Sequence, residues 1–158
     1  MSTLTIEVCG TPAPQGSKKF VGRAKGGRGI MIESSKGLAA WRAAVVGAAV
    51  AAIRKRGWEM ATGPVFLYAE FRLDRPARPK PEYRRHPGGK PDLDKLLRAV
   101  GDALTEAGVW SDDSLVVAVL GQKAYSGIQP AGATIIVEDL PTVCWRGSLY
   151  RLRKAEVE

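Results

Sequence analysis

Two periods of apolar residues alternate along this chain, and together they outline its elements. Leu4, Ile6 and Val8 interleave with Thr3, Thr5 and Glu7, a repeat of two that predicts a first strand with one buried face. Gly10, Pro12, Pro14 and Gly16 close it, and the following KKFVGRAKGGRGIMIES reads as a hairpin around a glycine-rich, basic centre. The period then changes. Ser35 is placed as an N-cap, Leu38, Trp41, Val45, Ala49, Ala52 and Ile53 follow at helical spacing, and Gly57 supplies the stop. Val65, Leu67, Ala69, Phe71 and Leu73 return to a repeat of two. The residues between them are also partly apolar, as expected of a central strand.

Residues 74–91, DRPARPKPEYRRHPGGKP, hold too many prolines for a regular element and too much charge for a core, so an exposed loop is predicted. A second helix follows, with Leu93, Leu96, Leu97, Val100, Leu104 and Ala107 on one stripe and Asp94, Arg98 and Asp102 on another, until Gly108 ends it. Residues 115–125 and 133–138 read as two further strands joined by the turn-rich SGIQPAG. Strand, hairpin, helix, strand, helix, strand, strand implies an α+β fold, a mixed sheet covered by two main helices. With 158 residues, one domain over 1–140 is expected, followed by a basic tail over 141–158 that carries Trp145 and Tyr150.

Composition narrows the chemistry. No apolar run is long enough to cross a membrane, and the alternating N-terminus lacks the basic start and apolar run of a secretion signal, so a cytoplasmic location is expected. Cys9 and Cys144 stand far apart without a Cys-x-x-Cys partner, which points to reduced thiols and away from a disulfide framework or structural zinc. His86 is the single histidine, excluding sites that need two. Net charge is +8, and it is concentrated: residues 15–30 hold five bases and no acid, and residues 75–90 hold six bases against Glu82 alone. Such segments suit a polyanion, although charge runs also serve solubility.

Against this background the acids at the two ends of the second helix stand out. Asp92 and Asp94 open it, and Asp112 and Asp113 follow it. Carboxylates repel one another, and a divalent cation holding them beside a cationic surface would suit a metal-dependent nuclease. Each acid also has an ordinary explanation. Asp92 can be an N-cap worth about 0.5 to 2 kcal/mol, Asp94 a first-turn acid worth about 0.3 to 1 kcal/mol, and the later pair a turn. Periodicity leaves a shared metal site and separate caps open, because whether Asp113 reaches Asp92 is a tertiary question.

The string PDLDKLLRAVGDALTEAGVWSDD, followed by a short apolar strand, resembles the signature of the RusA family of Holliday junction resolvases. In that signature an Asp-Leu-Asp-Asn-Leu motif is followed by a lysine, an Asp-Ala-Leu and a terminal Asp-Asp. The segment GTPAPQGSKKF resembles the family's opening Gly-x-Pro-x-Pro turn with trailing bases, so the likeness spans residue 10 to about residue 125. It implies Mg2+, with Mn2+ as an alternative, held by Asp92, Asp94 and Asp113, with Asp112 as an adjacent helper. It also implies a homodimer that nicks four-way DNA junctions symmetrically in recombination and repair, without an organic cofactor or a membrane. Arg98 stands where the family has lysine, and Lys95 where it usually has asparagine. Arginine keeps its charge and forks onto phosphate, so Arg98 is expected to stabilise a transition state rather than exchange a proton, with Lys95 as a partial substitute. Lys18, Lys19, Arg84, Arg85 and Lys95 are the expected DNA contacts. Two other readings use the same residues: a non-catalytic basic nucleic-acid-binding module, and a related metal nuclease acting on forks or flaps.

Overall fold

A computed structural model describes residues 2–16, 18–23, 26, 29–33 and 36–140, with the backbone alone described in 18–23 and 29–33. Strand β1 covers Thr3–Cys9, β2 Lys18–Arg23, β3 Gly29–Glu33, β4 Val65–Leu73, β5 Val116–Tyr125 and β6 Gly132–Asp139; helix α1 covers Leu38–Arg56 and α2 Leu93–Glu106. The element order is the one the apolar periods predict. Within the proline-rich loop there is one short 3-10 turn, Pro81–Tyr83.

Four strands form one sheet in the order β1-β6-β4-β5, and β2 and β3 form a separate two-stranded ribbon. β6 runs antiparallel to both β1 and β4, whereas β5 runs parallel to β4, so the sheet is mixed. β4 is central, as its two-sided apolar sequence requires: Val65, Phe66, Leu67, Phe71 and Leu73 are all buried. One face of the sheet carries the core. Leu4, Ile6 and Val8 pair with Val137, Ile135 and Ala133, and these rows lie under Trp41 and Val45 of α1 and Leu96, Val100 and Leu104 of α2. Each such aliphatic side chain contributes about 1.5 to 3 kcal/mol by leaving water.

Helix α1 starts after Gly37, whose φ of 87° is left-handed and which makes no side-chain cap. Ser35, expected as the cap, lies outside the described residues. At the other end Gly57 (φ 67°) donates its N–H to the Ile53 carbonyl at 2.9 Å, the glycine stop that the sequence indicates.

The parallel pairing of β4 with β5 decides where the acids go. Parallel neighbours need a crossover, and here it is the proline-rich loop followed by α2. Helix α2 therefore starts at the C-terminal ends of β4 and β5 and runs back to the N-terminal end of β5. Its first turns lie close on β5: a Cβ at Gly121 would stand 2.9 Å from Leu97 Cδ1. The expected basic tail from residue 141, with Cys144, lies outside the described residues. Among those described, no helix is long and apolar enough to cross a membrane.

Candidate active site at the start of helix α2

Asp92 occupies the N-cap position of α2, yet its carboxylate caps nothing. It pairs instead with Lys95 Nζ at 3.0 Å and remains about half exposed. The Lys95 hydrogen bond and charge hold the Asp92 carboxyl below the ordinary aspartate range, with Lys90 and Lys123 adding to the effect. Asp94 sits exposed in the first turn, where the helix dipole favours an anion. Arg98, one turn further on, is also exposed. Two carboxylates and two cations of the expected set thus crowd the first two turns of one helix.

Residues outside the predicted set build this end. Lys123, near the C-terminal end of β5, donates to the carbonyls of Gly89 at 2.8 Å and Pro91 at 2.9 Å, tying the strand to the turn just before Asp92. Gln15 donates its backbone N–H to the Lys95 carbonyl at 3.0 Å, and its side-chain amide donates to the Asp102 carboxylate. A Cβ at Gly16 would stand 3.8 Å from Arg98 Nη1, so the basic ribbon β2–β3 leaves the body of the protein beside Arg98 and Lys95. Lys18 and Lys19 open that ribbon; their side chains lie outside the described residues. Arg84 and Arg85 are exposed on the proline-rich loop, where the Arg84 carbonyl accepts from Arg75 Nη2 at 2.9 Å.

The far end of α2 is built differently. Gly108 takes a φ of 75° and turns the chain toward Trp110, which is 1% exposed and donates its indole N–H to Thr105 Oγ1 at 2.7 Å. Trp58 adds a second buried indole, donating to the Val109 carbonyl at 2.9 Å. Asp112 then acts as a cap: its Oδ1 accepts from the Ser114 N–H at 2.9 Å, and hydrogen bonding from the Ser114 side chain, then from that N–H, holds its carboxyl below the usual range. Asp113 is exposed in the 3-10 turn Asp113–Leu115 that leads into β5.

One chain therefore brings Asp92 and Asp94 together and leaves Asp113 beyond the opposite end of a 14-residue helix, which is about 21 Å long at 1.5 Å per residue. Among the described residues no group of three or more His, Cys, Asp or Glu side chains is placed to hold a metal ion. The oxygen chemistry of Asp92 and Asp94 suits a hard divalent cation, but two carboxylates are a partial set.

Part of this arrangement has a signature in the chain. On β5 the positions on the face that meets α2 read Val119, Gly121 and then Lys123, a lysine where the apolar register continues inward. Such a residue needs acceptors, and it finds the two carbonyls. Gln15 has no comparable signal, because a turn residue shows no period.

The sequence model of the RusA endodeoxyribonuclease family matches residues 10–138, most of the chain and all of the elements from the basic ribbon to β6. No curated protein matches the chain. The matched span contains Asp92, Asp94, Arg98, Asp112 and Asp113 together with the turn that roots the ribbon beside them, and the chain belongs to the RusA family of Holliday junction resolving endodeoxyribonucleases.

Proposed function

We propose that this chain is a divalent-metal-dependent endonuclease that nicks four-way DNA junctions as a homodimer. The observation that carries this reading is the pair of exposed carboxylates, Asp92 and Asp94, at a helix start ringed by Lys90, Lys95, Arg98 and Lys123 and rooted beside a basic ribbon. Asp92 makes no cap bond, so the ordinary explanation for an acid at this position does not account for it.

Mg2+, or Mn2+, is the ion that Asp92 and Asp94 would hold; when bound it supplies polarisation of a phosphodiester and a more acidic water. The protein's own groups do the rest. Lys95 keeps the Asp92 carboxylate charged and oriented. Arg98 places a permanent, forked cation where a phosphate at Asp94 would lie, suited to the charge that builds up during displacement. Lys123 fixes the turn before Asp92 through two carbonyls. Lys18, Lys19, Arg84 and Arg85 supply phosphate contacts that position the arms without reading sequence.

A second copy of the chain completes this set. β5 is an edge strand of the sheet, and Val117, Val119 and Leu120 along it are 62%, 50% and 40% exposed. An edge that no strand among the described residues pairs with, and that carries apolar side chains, is a template for pairing. Antiparallel pairing of the middle of β5 with its own two-fold copy lays the Asp113 end of one strand beside the Lys123 end of the other. Asp113 of each copy then approaches Asp92 and Asp94 of the other. Two sites related by two-fold symmetry also match the two strands that must be cut in a four-way junction.

The test compares a four-way junction, a fork and a linear duplex incubated with the purified chain in Mg2+, with and without chelator. Paired nicks confined to the junction, lost on chelation, are expected. Asp94→Asn, which removes charge and keeps shape, is expected to bind the junction and leave it whole. Preferential cutting of the fork would move the assignment to a related metal nuclease. Chelator-insensitive binding without nicking in any divalent ion would make the chain a binding module.

A further inference from the structure

A cleft of about 400 Å³ opens beside the carboxylates, outside the C-terminal ends of the parallel strands β4 and β5. Crevices at that end of parallel strands are where α/β sheets hold ligands. Its floor is Leu73 and Tyr125 at the strand ends, and its walls are Tyr83, Pro79 and Pro87 of the proline-rich loop. Lys90 and Pro91 close the side that leads straight into Asp92.

The walls are braced. Tyr125 Oη donates to the Tyr83 carbonyl at 2.8 Å, and the Arg75 guanidinium lies 5.6 Å from the centre of the Tyr125 ring. The Tyr83 ring rests on the Gly88–Gly89 backbone so closely that a Cβ at Gly88 would stand 2.8 Å from Tyr83 Cδ1. The Lys123 bonds to Gly89 and Pro91 hold the same turn from below. A loop of this length can be held in one shape by such contacts, which leaves Tyr83 half-exposed against the cleft.

Among the described residues, Arg78, Lys80 and Lys90 line the cleft against one acid, Asp74, which accepts from Ser126 Oγ at 3.3 Å. The space thus has aromatic and proline surfaces suited to a flat ring, and a cationic rim suited to a phosphate beside it. That combination is the recognition chemistry of an unstacked base on a nucleic-acid strand.

We propose that the cleft takes one unstacked nucleobase of the DNA strand whose phosphate lies at Asp92 and Asp94, so that cutting depends on the base beside the cut. This rests on the nuclease reading above for the strand it names. Tyr83 provides the stacking surface, and Lys90 and Lys80 hold the flanking phosphates. The branch point of a junction is where a base leaves its stack at least cost.

The experiment uses the full chain and fluorescent four-way junctions, with Ca2+ replacing Mg2+ for binding measurements. Single nucleotides across the branch point are made abasic one at a time, against the wild type, Tyr83→Ala and Tyr83→Phe. At one position the missing base is expected to weaken wild-type binding by about 10-fold. Tyr83→Ala should bind the intact junction about 10-fold more weakly and lose nothing further at that abasic position. Tyr83→Phe keeps the ring and should behave as the wild type, and a thermal midpoint of Tyr83→Ala near that of the wild type excludes a folding defect as the cause. In Mg2+, Tyr83→Ala should cut with a flatter preference among the four bases at that position. The inference is overturned if no abasic position weakens binding, or if the two losses multiply as independent effects. Coupling in Ca2+ without any nicking in Mg2+ would keep the base cleft and remove the nuclease reading; nicking without coupling would do the reverse.

Discussion

The two ends of α2 carry the same kind of residue in opposite settings. At the far end Asp112 and Asp113 follow a segment fastened by two buried indoles, Trp58 and Trp110, and Asp112 spends its carboxylate on a local cap. At the near end Asp92, which caps nothing, and Asp94 are exposed, and the polypeptide around them is held by Lys123, Lys95 and Gln15. A carboxylate beside a hydrophobic anchor can be placed rigidly. One beside cations can be approached by a phosphate, and its own charge is kept by them. On the proposed function, this difference makes the near end the reactive one and leaves the far end to present Asp113.

The sharpest way to break this contrast is Asp94→Asn. It is expected to lower cleavage by about 1000-fold or more, equivalent to about 4 kcal/mol of barrier, while the thermal midpoint stays near that of the wild type. Measuring nicking and unfolding on the same preparation checks both halves. Trp110→Ala attacks the other end and should do the converse, costing about 3 to 5 kcal/mol of folding stability in a denaturant titration through the cavity it leaves. A small loss there would mean that the far end is not the structural one.

Lys123→Met keeps the length of the side chain and removes its two donated bonds. The freed carbonyls of Gly89 and Pro91 can turn to water, so a loss of about 1 to 3 kcal/mol or less is expected in stability, with a larger fractional loss in nicking because the turn before Asp92 loosens. Equal losses in both would reduce Lys123 to a packing residue. The smallest effect concerns Asp92 itself. Its carboxyl is held low by Lys95, so it stays ionised to lower pH than a free aspartate, and any stability it lends is present above the unfolded pKa and fades as pH falls through the folded one. In an NMR titration Lys95→Ala should move the Asp92 midpoint upward; an unmoved midpoint would show that the pair does not form in solution.

Much of this was legible in the chain. The repeats of two at Leu4, Ile6 and Val8 and at Val65 to Leu73 are real strands, and the stripe Leu96, Val100 and Leu104 is the buried face of α2. The acids and their flanking bases were legible too, because charge survives any fold. Strand partners were not. The apolar run over residues 115–125 shows a strand, but says nothing of a parallel pairing with β4, and that pairing keeps Asp113 at the opposite end of α2 from Asp92. The reach of Asp113 could not be read for this reason. Tyr83 and Tyr125 escaped notice because their meeting across the cleft joins a loop to a strand 42 residues later, a contact without local pattern.

The account turns on one claim, that Asp113 serves the carboxylate pair of a different copy of the chain. Co-expressing Asp94→Asn with Asp113→Asn and purifying the mixed dimer tests it directly, since each variant alone is expected to be inactive. If the site is shared between copies, the mixed dimer retains one complete site. The purified mixed dimer should then recover about half of the wild-type nicking, as single nicks in place of paired ones. If all three aspartates act within one chain, every site in the mixture has lost a ligand, and the complete absence of nicking would contradict the account.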